Sequence, residues 1–272
     1  MMNMKEMGED EKFKNSAWLL QYIHKRIDEN RNFIAIFTGD TGSGKSYSAM
    51  RLAERVDPNF SVDRIVFTVT DFIHLINSDL PKGSVVIFDD AGLGINARLW
   101  QEQSNKLFGM VIQGFRYKQI NVFFTVPKLF FIDRQSRNLA HMRFQSTKKQ
   151  GLMKAYLIIE SKRNPDNPLE AYHKERISGK DIQFPKVRFH IPSPELREQY
   201  EVKKKNYMDA KFRQYEEELS QVDIDKGLNP RKKIDREKII VNLHEEGLSM
   251  GQISKVLGTS KTSVHRTITK KK

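Results

Sequence analysis

A glycine-rich octapeptide constrains the possible folds of this chain more than any other feature. Residues 39–46 read GDTGSGKS and match the pattern G-x-x-x-x-G-K-[ST] in full. An apolar run typical of a buried strand precedes the octapeptide at 33–38, and a segment with helical periodicity follows at 45–56. A strand, a glycine loop and a helix in this order bring bare backbone N–H groups and the positive end of a helix to one point. Phosphate groups bind at such points.

The residue types in this loop each suit a nucleotide ligand. Glycines let the backbone approach a phosphate closely. Lys45 is expected to reach the β- and γ-phosphates of ATP, and Ser46 to place its hydroxyl on Mg²⁺. A flexible Gly/Ser turn without a ligand is the alternative interpretation. The predicted nucleotide-binding residues are Gly39, Asp40, Thr41, Gly42, Ser43, Gly44, Lys45, Ser46 and Tyr47.

A second motif consists of four apolar residues followed by two aspartates. Residues 85–88 read VVIF, and Asp89 and Asp90 come next. A carboxylate at the tip of a buried parallel strand lies at the sheet edge where ligands bind. We expect Asp89 to hold Mg²⁺ through the water shell of the metal, and Asp90 to act as the general base that orients the attacking water. A turn or a helix-capping role is the alternative for Asp90.

Strand and helix patterns alternate through the first part of the chain. Helices are predicted at 16–27, 45–56, 70–77 and 98–115, and strands at 33–38, 64–68, 84–88 and 119–126. This alternation predicts an α/β fold with a mainly parallel sheet covered by helices on both faces. The adjacent acids Asp89 and Asp90 resemble those of P-loop ATPases that carry an extra strand between the two motif strands. This resemblance implies that strand 119–126 lies there and that Thr125, at its tip, senses the γ-phosphate. The alternative is that Thr125 is an ordinary β-branched strand residue.

The character of the sequence changes after residue 146. Edge strands are predicted at 154–160 and 187–191, with a loop between them at 162–169. A charged helix is predicted at 194–219, and a linker at 227–230. The charged helix carries only a sparse apolar stripe, formed by Leu196, Tyr200, Tyr207, Tyr215 and Leu219.

The last 44 residues, 229–272, hold 11 Lys and Arg against 4 Asp and Glu. The difference, 11 − 4 = +7, is more than half of the chain's net charge of +13. Three short helical patterns with a glycine turn before the third predict a helix-turn-helix domain, a small all-α unit. The third helix is expected to enter the major groove of DNA. A small helical bundle used for oligomerisation is the alternative. The predicted DNA-contacting residues are Lys261, Thr262, Ser263, His265, Arg266 and Thr269.

Composition excludes several other classes of protein. The chain has no cysteine, which excludes disulfides, thiolate zinc sites and cysteine catalysis. A pI near 9.7 is typical of proteins that bind polyanions. No apolar run approaches 18 residues, and the first residues show no signal-peptide pattern. We therefore expect a cytoplasmic protein without membrane insertion.

The order of the motifs resembles the FtsK–HerA superfamily of P-loop ATPases, in its DNA-packaging, conjugative and zonular-occludens-toxin-like branch. The resemblance covers about residues 32–145 and includes the groups FRYK at 115–118 and TVP at 125–127. It implies ATP and Mg²⁺ as cofactors, double-stranded DNA as partner, and a homo-oligomeric, hexameric ring. It also implies an arginine finger, for which Arg116, Arg134 and Arg137 are candidates. The C-terminal helices resemble the helix-turn-helix of resolvases.

Two departures from this superfamily bear on catalysis. The superfamily has Glu where this chain has Asp90, and a Thr-Gln pair where this chain has Thr125 and Val126. Both departures predict slower hydrolysis.

The sequence therefore favours an ATP-dependent DNA translocase or packaging ATPase of a virus or mobile element. The alternative is a nucleotide-switched DNA-binding protein, such as a replication initiator, partition factor or regulator. A small-molecule kinase is disfavoured by the acidic pair and the basic tail. The expected domains are an N-terminal helical segment (1–30), the P-loop ATPase domain (31–192), a charged helical linker (193–228) and the helix-turn-helix domain (229–272).

Overall fold

The structure is a computed structural model that describes residues 17–89, 117–132, 134–161, 168–228 and 236–269. Within these residues the chain forms two compact units, one ending at Tyr200 and the other beginning at Glu201. The helix predicted at 98–115 lies outside the described residues.

The part of the first unit that the structure describes contains ten strands. They are β1 (Ile34–Thr38), β2 (Ile65–Val66), β3 (Val85–Phe88), β4 (Asn121–Val126), β5 (Met142–Ser146), β6 (Leu152–Ile159), β7 (Leu169–Ala171), β8 (His173–Ile177), β9 (Lys180–Phe184) and β10 (Lys186–Arg188). The main sheet has the order β10-β6-β5-β1-β4-β3-β2, with β7 also paired to β6, while β8 and β9 form a separate antiparallel pair.

The central part of the main sheet is parallel. β2, β3, β4, β1 and β5 all run in the same direction, and β6, β7 and β10 add antiparallel pairs at one side. β4 lies between the two motif strands, with Val122 opposite Ile34 on β1 and Phe124 opposite Phe88 on β3. The predicted α/β fold and the predicted position of this strand are both confirmed.

Among the described residues, four helices lie wholly within the first unit, and a fifth begins there: α1 (Ala17–Asp28), α2 (Lys45–Val56), α3 (Val69–Asn77), α4 (Arg134–Leu139) and α5 (Pro194–Leu228). Every residue of β1, β3 and β4 is buried, as expected for strands covered on both faces. On one face Phe72 of α3 stacks on Phe88 at 5.2 Å between ring centroids. On the other, Phe37 and Phe123 pack in a core cluster with Ala49 of α2.

Three predictions for the region after residue 146 are wrong. β6 is not an edge strand, because β5 pairs with one side of it and β10 with the other. Residues 162–169 are not all loop, because Leu169 begins β7; residues 162–167 lie outside the description. α5 continues past 219 to Leu228, so Gly227 is helical rather than part of a linker. Strand partners and helix length here depend on contacts distant in sequence, which local patterns do not contain.

The second unit contains three short helices after α5: α6 (Arg236–Glu245), α7 (Met250–Val256) and α8 (Lys261–Thr269). A capping box starts α7, since the Ser249 side chain accepts from the Gln252 N–H and the Gln252 side chain accepts from the Ser249 N–H. Ser260 caps α8 by accepting from the Ser263 N–H. The three predicted helices are confirmed, and their shared core consists of Ile240, Leu243, Ile253, Leu257 and Val264.

None of the helices in the described ranges is long and apolar enough to cross a bilayer.

Candidate nucleotide-binding site

The glycine loop connects the end of β1 to the start of α2. Its first residue, Gly39, donates its N–H to the carbonyl oxygens of Val126 (3.3 Å) and Pro127 (3.2 Å), so the loop starts against the end of β4. The loop then turns, with the Ser43 N–H donating to the Asp40 carbonyl at 3.1 Å. These bonds place the loop at the carboxyl edge of the parallel strands, where ligands of such sheets bind.

The glycines of the loop meet two different physical requirements. Gly42 and Gly44 have φ angles of 77° and 82°, a conformation that side chains disfavour. Gly44 is the N-cap of α2 and makes no side-chain cap hydrogen bond. A Cβ at Gly39 would lie 2.1 Å from the Ser146 Oγ and 2.7 Å from the Ser146 Cβ, so a larger residue at this position would require Ser146 to shift.

The loop also presents polar groups that suit a phosphate. The Ser43 Oγ is buried and has no hydrogen-bond partner within the described part of the chain. This hydroxyl could donate a hydrogen bond to a phosphate oxygen in the loop. Lys45 is only 6% exposed at the first turn of α2, while Ser46 and Tyr47 are half-buried. Asp40, Thr41 and Gly42 are exposed at the tip of the loop.

The second motif places Asp89 at the tip of β3. Its backbone N–H donates to the Val66 carbonyl oxygen at 2.9 Å, and Asp89 as a whole is only 1% exposed. The Thr125 hydroxyl donates to the Asp89 Oδ1 at 2.6 Å, and the Tyr200 hydroxyl donates to the Asp89 Oδ2 at 2.7 Å. Thr125 therefore contacts the aspartate from the neighbouring strand tip, and both carboxylate oxygens are held.

The structure brings together some predicted site residues and leaves others undescribed. The loop, Asp89 and Thr125 lie at one edge of the sheet. Asp90 and Arg116 are outside the described residues, as is the side chain of Arg134. The third arginine-finger candidate, Arg137, lies on α4 with its Nε buried.

Site prediction from the sequence missed Tyr200. Its only sequence signal was a place in the apolar stripe of α5, which gives no indication of a polar contact 111 residues away.

The predicted DNA-contacting face of α8 is exposed. Val264 and Thr267 point into the second unit and are buried, while the six predicted residues are all exposed: Lys261, Thr262, Ser263, His265, Arg266 and Thr269. The helix therefore presents hydroxyl, imidazole, guanidinium and ammonium groups on its outer side. Such groups can address both base edges and phosphates.

Comparison with known proteins gives little similarity. No protein-family model matches the sequence, and no curated protein is significantly similar to it. Among solved structures, the chain is similar to the crystal structure of the N-terminal domain of zonular occludens toxin from Neisseria meningitidis, with 16% identity and a TM-score of 0.33. That similarity covers 52% of this chain and 92% of the other. With identity and TM-score this low, the fold and site rest on the geometry described above.

The parallel sheet, the glycine loop between β1 and α2, and the placement of β4 between the two motif strands define a P-loop NTPase-like fold.

Proposed function

We propose that this chain binds ATP and Mg²⁺ at the loop 39–47 and hydrolyses ATP to move double-stranded DNA. It would be a translocase or packaging-type ATPase of a virus or mobile element. The observation that carries the nucleotide part is the fit of the loop. A Cβ at Gly39 would collide with Ser146, Gly42 and Gly44 have φ angles of 77° and 82°, and within the described residues the buried Ser43 hydroxyl has no partner.

The residues of the site have separate tasks in this proposal. The loop N–H groups and Lys45 bind the phosphates, and Ser46 and Asp89 hold Mg²⁺. In the described ranges no three His, Asp or Glu side chains form a metal cluster, so the metal would share its coordination with phosphate oxygens and water. Bound Mg²⁺ neutralises phosphate charge. Asp90 would orient the attacking water, and Thr125 holds the Asp89 carboxylate in place.

The DNA part of the proposal rests on the second unit. Its last helix exposes the six predicted residues, and residues 229–272 carry 11 Lys and Arg against 4 Asp and Glu. Phosphate attraction from this excess would supply affinity, and the α8 side chains would supply base contacts.

We further propose a cytoplasmic, homo-oligomeric ring of six chains, with the arginine finger supplied by a neighbouring copy through Arg116, Arg134 or Arg137. The domain division at 1–30, 31–192, 193–228 and 229–272 belongs to the same proposal. Sedimentation with and without ATP and DNA tests the ring: a hexamer on DNA supports it, and a monomer under all conditions contradicts it.

A nucleotide-switched DNA-binding protein is the second candidate, and one observation favours it. Val126, which follows Thr125, is fully buried in β4. The position where the FtsK–HerA superfamily has Gln therefore contributes an apolar group to the core. Together with the shorter carboxylate at Asp90, this favours slow hydrolysis.

Steady-state ATP hydrolysis with and without double-stranded DNA distinguishes the two candidates. If the protein is a translocase, DNA should stimulate ATP turnover in the wild type, and Lys45→Ala should show no turnover. Arg266→Ala should lose the stimulation by DNA and keep the rate measured without DNA. The unstimulated rate of Arg266→Ala is the matched control, because this residue lies in the second unit. Negligible turnover combined with an ATP-dependent footprint on one DNA site would replace the translocase by the switch.

A further inference from the structure

The hydroxyl of Tyr200 contacts the aspartate that the proposed function assigns to Mg²⁺. We propose that Tyr200 is a positioning residue for Asp89, which makes Mg²⁺ binding depend on the docking of the first two turns of α5. This inference rests on the proposed function, because it requires the metal–nucleotide site to exist.

The contact between the two residues is short and shielded from water. The Tyr200 hydroxyl donates to the Asp89 Oδ2 at 2.7 Å, and Tyr200 is 2% exposed and Asp89 1% exposed. Hydrogen bonds to a charged oxygen are stronger than those between neutral groups. With Thr125 holding the Oδ1, the carboxylate plane has one orientation. Removing the tyrosine hydroxyl would leave a buried carboxylate oxygen without this donor and free the carboxylate to rotate.

The first turns of α5 are docked on α2, the helix that begins at the glycine loop. The Ser193 N–H donates to the Glu54 Oε1 at 3.0 Å, just before α5 begins. Burial would raise the pKa of the Glu54 carboxyl, but the hydrogen bonds from Ser193 and the charge of Arg51 outweigh burial and lower it. The carboxylate is thus kept charged where it accepts the N–H of Ser193, the residue before α5.

Two apolar side chains one helical turn apart complete this docking. Leu196 and Tyr200 are both buried in the core cluster of the first unit. The Tyr200 ring meets Tyr47 of α2 edge-on at 6.2 Å and lies 6.4 Å from Phe67, between ring centroids. The same two helical turns therefore touch the helix that follows the phosphate loop and the carboxylate at the tip of β3.

This arrangement ties the metal site to a helix that continues far beyond it. α5 is one helix from Pro194 to Leu228, and its residues from Glu201 onward belong to the second unit. A movement that lifts the start of α5 would remove the hydroxyl from Asp89. By linkage, Mg²⁺ and nucleotide would in turn stabilise the docked start of α5.

Tyr200→Phe tests this inference, because it deletes the hydroxyl and keeps the ring packing. Binding of a fluorescent ATP analogue is titrated with Mg²⁺ and compared with binding in EDTA. Outer-shell partners of metal ligands typically contribute 10–100-fold in metal affinity. Because Asp89 would hold Mg²⁺ through water, we expect a smaller effect here: the Mg²⁺ concentration at half-maximal effect should rise severalfold, with binding in EDTA unchanged. Tyr207→Phe, the same substitution further along α5, is the matched control and should leave the Mg²⁺ midpoint unchanged.

A second variant keeps the test decisive if Tyr200→Phe lowers the melting temperature. Glu54→Ala removes the acceptor for the Ser193 N–H without touching Asp89, so it should raise the Mg²⁺ midpoint in the same direction and by less. An unchanged or lower midpoint in Tyr200→Phe overturns the inference. Absence of Mg²⁺-dependent nucleotide binding in the wild type refutes the proposed function itself, so the two failures are distinguishable.

Discussion

His141 should make the first unit sensitive to mild acid. The Ile34 N–H donates to the His141 Nδ1 at 2.9 Å, and the guanidinium Nη2 of Arg26 lies 2.6 Å from the Nε2. Burial, with the positive charge of Arg26, lowers the pKa of the imidazole from 6.5 to about 3. The Ile34 contact also requires an unprotonated Nδ1. The folded protein therefore holds this ring neutral at pH values where the unfolded chain protonates it.

The size and direction of the effect follow from this difference. Between pH 6.5 and 3 the unfolded chain binds one more proton at this position, so stability falls as the pH falls through this window. Above pH 7.5 the group contributes no pH dependence. At pH 5, about 1.5 units below the unfolded pKa, the loss is at most about 2 kcal/mol at 1.36 kcal/mol per unit. It is an upper value because His141 is only half-buried.

Urea unfolding of the wild type and His141→Asn at pH 7.5 and pH 5 measures this loss. The asparagine carbonyl can accept the Ile34 N–H and does not titrate, which makes it the matched control. The net charge of +13 lowers stability in acid for both proteins, so the quantity of interest is the difference between them. We expect the wild type to lose up to about 2 kcal/mol more than the variant. Parallel losses in the two proteins would refute the proposed role of His141.

Three further substitutions have defined outcomes. Gly44→Ala forces a side chain into φ 82°, which should destabilise the first unit by about 1–2 kcal/mol in urea unfolding. Ser249→Ala removes the capping box of α7 and should destabilise the second unit by about 1 kcal/mol in thermal unfolding, with nucleotide affinity unchanged. Asn121→Ala leaves the buried Phe33 N–H and Gly83 carbonyl unpaired and should cost the first unit about 2–5 kcal/mol in urea unfolding.

Local chemistry explains which parts of the fold could be predicted. α2 was predicted at its observed bounds, because a glycine N-cap starts it and its apolar periodicity continues to Val56. β1, β3 and β4 were predicted because a strand that is buried on both faces consists of a continuous run of apolar residues in the sequence.

β5 could not be predicted, although it pairs with β1 near the centre of the sheet. It carries Arg143 and Gln145, polar residues that argue against a buried strand. In the structure Arg143 forms two hydrogen bonds of 2.6 Å with the Glu170 carboxylate on β7, and its guanidinium lies 4.6 Å from the centroid of the Tyr156 ring. The partners of this arginine lie on other strands, so its pairing is visible only after the chain has folded.

In the candidate site, too, contacts between residues distant in sequence could not be predicted. The glycine loop and Asp89 were predicted because their chemistry is contained in short motifs. Tyr200 reads as an apolar contact of a charged helix, and its hydroxyl gains a partner only because α5 starts beside α2. A residue that joins a motif from a distant element leaves no pattern near that motif.

Equilibrium binding of ATP with Mg²⁺ to the wild type and to Lys45→Ala tests the central claim most directly. Hydrogen bonds to charged groups contribute about 1.5–3 kcal/mol, so the loss of Lys45 should weaken binding by about 10- to 100-fold. We expect one ATP per wild-type chain and this loss in the variant, with its thermal unfolding unchanged. No binding by the wild type, or equal binding by both proteins, would contradict a nucleotide site at the glycine loop.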